Sequence, residues 1–98
     1  MFFSVPRDED LDAVRAGLSL LTGNPHAIRV EIGDCLKTDM FDRTVDLVVY
    51  AEFADEAALA AYRAHPIYQD SIDRVRPLRE LRIAGDYVVE RAVTTPIG

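Results

Sequence analysis

The sequence is short of the residues that build disulfides and zinc sites, with one cysteine and two histidines in 98 positions. Cys35 alone cannot close an internal disulfide, and no Cys or His spacing suits zinc, so neither staple is expected; a reducing cytoplasm fits this usage. Clustered basic charge is missing too. One lysine and ten arginines stand scattered among 17 acidic residues for a net charge of −6, which leaves no footprint for nucleic acid. No apolar run is long enough to span a membrane. The opening Met1-Phe2-Phe3-Ser4-Val5 runs at once into Pro6 and Asp8-Glu9-Asp10, too short for the apolar region of a signal peptide. Internal repeats and linkers are absent as well. One domain, residues 1–92, with a loose tail over 93–98, is the expected organisation.

What is present is clear periodicity. Residues 1–5 have strand composition from the first residue on, so this strand is either clipped or preceded by more chain. From Arg7 to Thr22 the apolar positions Leu11, Val14, Leu18 and Leu21 recur at helical spacing, closed by Gly23-Asn24-Pro25. His26 to Asp34 alternates, with Ile28, Val30 and Ile32 on one side, as an edge strand wet on one face does. Leu36 to Arg43 reads as a polar loop. Thr44 to Phe53 carries Leu47, Val49, Ala51 and Phe53 on one face and Val48 and Tyr50 on the other, which predicts a central strand. Asp55 suits the N-cap of a helix over Glu56–Ala64. His65-Pro66 then breaks the register before a second helix with Tyr68, Ile72 and Val75 on its apolar side, stopped near Arg76 by Pro77. Leu81 to Arg91 reads as the last strand, with Ile83, Tyr87 and Val89 on one face and Ala84 and Val88 on the other.

This order predicts an α+β fold of the ferredoxin-like kind, a four-stranded antiparallel sheet with helices on one face. The second face then needs cover. Val48, Tyr50, Ala84, Asp86 and Val88 are the residues expected there, on an apolar patch of the order of 400 Å². A domain of this size buries only about 65% of its unfolded surface, so a second copy, sheet against sheet, is the simplest cover. The alternative is a monomer with a partly apolar open face.

From Asp46 to Val89 the chain resembles the stress-responsive A/B-barrel family, the dimeric α+β barrels. The likeness rests on Asp46-Leu47-Val48-Val49-Tyr50 leading into Glu52-Phe53, on Ala61-Tyr62-Arg63-Ala64-His65-Pro66, on Val75-Arg76-Pro77-Leu78 and on Asp86-Tyr87-Val88-Val89. The resemblance implies a homodimer whose two sheets form a barrel, often with the end of one chain reaching the other sheet. Among its members are plant polyketide cyclases, which close a ring by aldol chemistry without a cofactor, in a pocket between sheet and helices. Their pocket tyrosine carries over to Tyr62. Their catalytic histidine position holds Tyr68 here, and Met1-Phe2-Phe3 lacks the histidine common on the family's first strand. Histidine, with a pKa near 6.5, suits removal of a proton next to a carbonyl, whereas an unperturbed tyrosine is ionised only about one part in a thousand at neutral pH. Plant-type cyclisation is therefore disfavoured.

Tyr62, His65 and Tyr68, spaced by three, are the pocket candidates. Either the tyrosine hydroxyls orient a polar group of a ligand, or the rings fill core and the hydroxyls find backbone or water. His65 before Pro66 fits a local backbone bond that fixes the turn. His26 has no neighbour that would make it a ligand, Cys35 has no cationic partner in sequence, and Tyr50, Glu52 and Asp86-Tyr87 read as interface. Asp39, Asp42 and Asp46 with the loop between them could hold a hard cation weakly, but scattered loop carboxylates are usually only solvated. No metal and no cofactor are expected. The leading expectation is a homodimer that binds a small apolar, aromatic or polyketide-like molecule. A cofactor-free cyclase, isomerase or monooxygenase-like enzyme and a ligand-free structural stress protein are the alternatives.

Overall fold

In a computed structural model, residues 1–38, 44–93 and 95 are described. Asp39 and Asp42 lie outside the described residues, as does most of the 93–98 tail. The strands are β1 (Phe2–Ser4), β2 (Arg29–Asp34), β3 (Leu47–Glu52) and β4 (Leu81–Ile83), and all pairings are antiparallel in the order β2-β3-β1-β4. Helices α1 (Leu11–Ser19), α2 (Glu56–Ala64) and α3 (Pro66–Val75) complete the ferredoxin-like α+β order. β2 is an edge strand and β3 is paired on both sides, as the sequence predicts.

Register decides which side chains meet the helices. Phe3 pairs with Leu47 and with Arg82, while Phe2 pairs with Val48 and with Ile83. One face therefore presents Phe3, Leu47 and Val49 to a core that Val14, Leu18, Leu21, Tyr62 and Val75 close from the helical side. The other face carries Val48, Phe2 and Ile83 in one row across three strands. Helices α1 and α3 touch closely at Gly17, where a Cβ would lie 2.9 Å from Val75 Cγ2. A single carboxylate ties β1 to the loop before β3. Asp46 Oδ2 accepts from the Val5 N–H at 2.7 Å, its Oδ1 side pairs with Lys37, and its own N–H donates to the Phe3 carbonyl at 2.8 Å.

Several boundaries differ from the sequence expectation. The first helical segment is not one α-helix from Arg7 to Thr22: α1 is flanked by 3-10 turns at Asp8–Asp10 and Leu20–Gly23, although Val14, Leu18 and Leu21 are buried as expected. β2 starts at Arg29, and Ile28 is 67% exposed instead of joining Val30 and Ile32 against the core. The largest correction concerns the last strand. It ends at Ile83, the last of its residues paired with β1. Without a ladder to join, the chain leaves the sheet and makes a 3-10 turn at Val89–Arg91. The expected facing is corrected as well. Ile83 shares the open face with Phe2 and Val48, whereas Ala84, Asp86 and Val88 fall past the end of the strand.

Candidate ligand-binding site

Two local signals set the helices that carry Tyr62 and Tyr68. Asp55 caps α2, its Oδ1 accepting from the Ala58 N–H at 2.7 Å. His65 ends α2 in extended backbone, as a residue before proline must, and then caps α3: its Nδ1 accepts from the Ile67 N–H at 3.1 Å while Pro66 takes the first helical position. His65 is thus engaged in the turn, with its ring edge-on to His26 at 5.8 Å.

The break turns α3 so that Tyr68 meets Tyr62 from a separate helix. Their ring centroids are 5.3 Å apart at 61°, and Phe53 packs on the Tyr62 ring at 4.8 Å and 65°. Such edge-to-face contacts place ring hydrogens against ring faces and hold the three rings in fixed relation. Tyr62 is 3% exposed, and its hydroxyl oxygen is buried without a hydrogen-bond partner among the described residues. Desolvation first, and the neighbouring Tyr68 second, push its pKa up to about 12. Behind the ring, the buried Asn24 donates from Nδ2 to the Tyr62 carbonyl at 3.0 Å and accepts from the His26 N–H at 3.1 Å, which pins α2 to the turn before β2.

β4 supplies the cation. Arg82 lies in register with Phe3 on the helical side of the sheet, and its Nη2 donates to the Tyr68 hydroxyl at 3.2 Å and also reaches Met1 Sδ at 3.2 Å. Next to it Arg63 on α2 pairs with Asp86 at 2.5 Å, so Asp86 is tied to a helix and not to the open face. Tyr62, Tyr68 and Arg82 form a path from buried through half-buried to exposed. The open face is a different surface. There Tyr50 donates to Glu52 at 2.6 Å, Arg29 pairs with Glu31, and Glu31, Ile32, Gly33, Val48 and Tyr50 line a shallow hollow of about 420 Å³.

The structure brings Tyr62 and Tyr68 together and keeps Val48 and Tyr50 on the open face. Sequence reading missed Arg82, Phe2 and Ile83. The pairing Phe2 to Ile83, had it been known, would have placed all three by alternation. Among the described residues no group of His, Cys, Asp and Glu could hold a metal ion.

An antiparallel sheet in this order, with all its helices on one face, defines the ferredoxin-like class. Residues 2–89 match the model of the stress-responsive A/B-barrel domain, and the chain belongs to that family. No curated protein matches it. No helix among the described residues is long and apolar enough to cross a membrane.

Proposed function

We propose that the protein is a cytoplasmic homodimer that binds a small, mostly apolar molecule of aromatic or polyketide-like character between sheet and helices, with Tyr62 and Tyr68 as its polar handles. The observation that supports this reading is the orphaned Tyr62 hydroxyl. Leaving a buried donor unmet costs about 1–3 kcal/mol, and a phenylalanine would fill the same space without that cost. A ligand oxygen that accepts from this hydroxyl recovers the loss. The three packed rings offer an aromatic guest a surface of matching character, and Tyr68 adds a second hydroxyl beside the first.

Isothermal titration of aromatic and polyketide-like compounds against the wild type and Tyr62→Phe tests this. The wild type is expected to bind at least one such compound, and the variant to bind it about five- to tenfold more weakly, as loss of one hydrogen bond predicts. Equal affinities in the two proteins, or no binding by the wild type, would overturn the reading.

A further inference from the structure

One row of residues crosses all four strands on the open face of the sheet. Gly33 on β2 pairs with Val48 on β3, Val48 with Phe2 on β1, and Phe2 with Ile83 on β4. Residues directly opposite in antiparallel strands share a face, so the row grades in size from no side chain at one margin to an exposed isoleucine at the other. Glycine inside a strand gives up packing and chain entropy, and it commonly marks a place where another group comes close. Nothing in this chain requires it at position 33. Its φ lies outside the left-handed region, and a Cβ there would meet nothing within 4 Å among the described residues. Gly33 lies instead in the shallow hollow that Glu31, Val48 and Tyr50 help to line.

Area is the second observation. The apolar band alone offers on the order of 400 Å², about half of the ~800 Å² that each partner of a stable pair buries. The rest has to come from apolar surface beside the band. Ile28 stands exposed just before β2, and Tyr87 and Val89 stand exposed past β4. Because every pairing is antiparallel, β2 begins and β4 ends at the same end of the sheet.

Two aligned sheets can meet face to face about a two-fold axis that runs across the strands or along them. An axis across the strands lays each strand on its own copy. Glycine then faces glycine and isoleucine faces isoleucine, which leaves a void at one margin and crowding at the other, and Ile28 goes to the far end from the partner's Tyr87. An axis along the strands exchanges the two edges and keeps the ends. Isoleucine then faces glycine, phenylalanine faces valine, and Ile28 comes to the side of the partner's Tyr87 and Val89. We infer that the second copy packs about an axis along the strands, with the Ile83 side chain of each protomer seated in the hollow at Gly33 of the other. This rests on the homodimer of the reading above and adds the residues that fix how its two copies fit.

Sedimentation over a dilution series of wild type, Gly33→Val and Ile83→Ala tests the fit, together with native mass spectrometry of an equimolar mixture of the two variants. Each variant alone is expected to dimerise at least about tenfold more weakly than the wild type, the valine by overfilling the hollow and the alanine by leaving it empty, twice per dimer. A mixed pair has one native contact of glycine with isoleucine and one in which the added valine meets the shortened side chain. Mixed pairs should therefore exceed the half that random exchange gives. Either variant dimerising as tightly as the wild type, or a mixture no richer than random, overturns the arrangement and leaves the homodimer standing. A wild type that is monomeric at micromolar concentration removes both. Gly33→Val adds a β-branched side chain at an exposed strand position and should keep the wild-type circular dichroism. Gly33→Ala is the smaller second variant: it should weaken the dimer in the same sense, and a tighter dimer would overturn the arrangement, since it would mean that the added methyl fills a void between two glycines.

Discussion

The Tyr62 phenol stays protonated in the folded chain until about pH 12, while an unfolded tyrosine ionises near 10. Above pH 10 the unfolded state therefore holds fewer protons than the native state, and stability falls as pH rises toward the folded value. The contribution is whole below pH 10 and is lost across the window from there to about 12, by at most about 1.4 kcal/mol per pH unit. Tyr62→Phe cannot ionise, so its urea midpoint should change less between pH 9 and pH 11 than that of the wild type; an identical loss in both would refute the burial of this hydroxyl. At neutral pH the variant should be as stable as the wild type or slightly more, since it removes an unmet donor. His65 is governed by its cap. Alanine there should cost about 1 kcal/mol in thermal or urea unfolding, and asparagine, which also accepts from a backbone N–H in the first turn of a helix, should restore most of it. Equal stability of His65→Ala and wild type would mean that Nδ1 does not hold the start of α3.

At the scale of elements, the contact of α1 with α3 depends on the missing side chain of Gly17. A Cβ there would stand 2.9 Å from Val75 Cγ2 and 3.3 Å from Arg74 Cβ, and Val75 is buried and stiff about χ1. Overpacking of this kind costs about 1–3 kcal/mol, against the ~1 kcal/mol that alanine gains over glycine in a helix. Gly17→Ala is therefore expected to lower the unfolding midpoint, and Gly17→Ala with Val75→Ala to lower it less than the two single losses added together; strict additivity would show that the two positions do not touch. The same distinction between local and distant causes separates what was legible in the sequence from what was not. α2 could be read to the residue, and the break before α3 and its end near Arg76 could be read too, because Asp55, His65-Pro66 and Pro77 act on their own neighbours. The end of β4 could not, because it depends on how far β1 extends opposite it, and β1 lies nearly eighty positions away in sequence. The phase of β4 failed for the same reason. Alternation says that Ile83 and Ala84 point opposite ways but not which of them meets the helices, and only the pairing of Phe2 with Ile83 decides. Within the candidate site, the spacing of Tyr62 and Tyr68 pointed to each other's neighbourhood. Arg82 gave no local sign, since its approach to Tyr68 is fixed by the register of the sheet under α3.

For the whole molecule, the question is what covers the face that the helices leave bare. Phe2 is 46% exposed, Tyr50 44% and Ile83 55%, and with Val48 they form an apolar band over the three strands β3, β1 and β4. On the β2 side of it lie the paired Arg29 and Glu31 and the Glu52 carboxylate that accepts from the Tyr50 hydroxyl, a polar edge to an apolar centre, as interfaces usually have. A second copy laid on this band meets the same residues by two-fold symmetry. Native mass spectrometry or sedimentation should then give twice the 11.0 kDa chain mass at micromolar concentration. Ile83→Glu sets two carboxylates into the apolar centre of the dimer, where burying an unpaired charge costs several kcal/mol, and should yield a monomer with unchanged helical circular dichroism. Each protomer also brings a charge of −6, so two copies repel at long range. Salt screens that repulsion without touching the apolar contact, and the dimer should therefore tighten between low and physiological ionic strength. A wild type that sediments as a monomer at both would show the open face to be bare in solution, and dissociation on adding salt would mean that ion pairs, not the band through Phe2 and Ile83, hold the copies together.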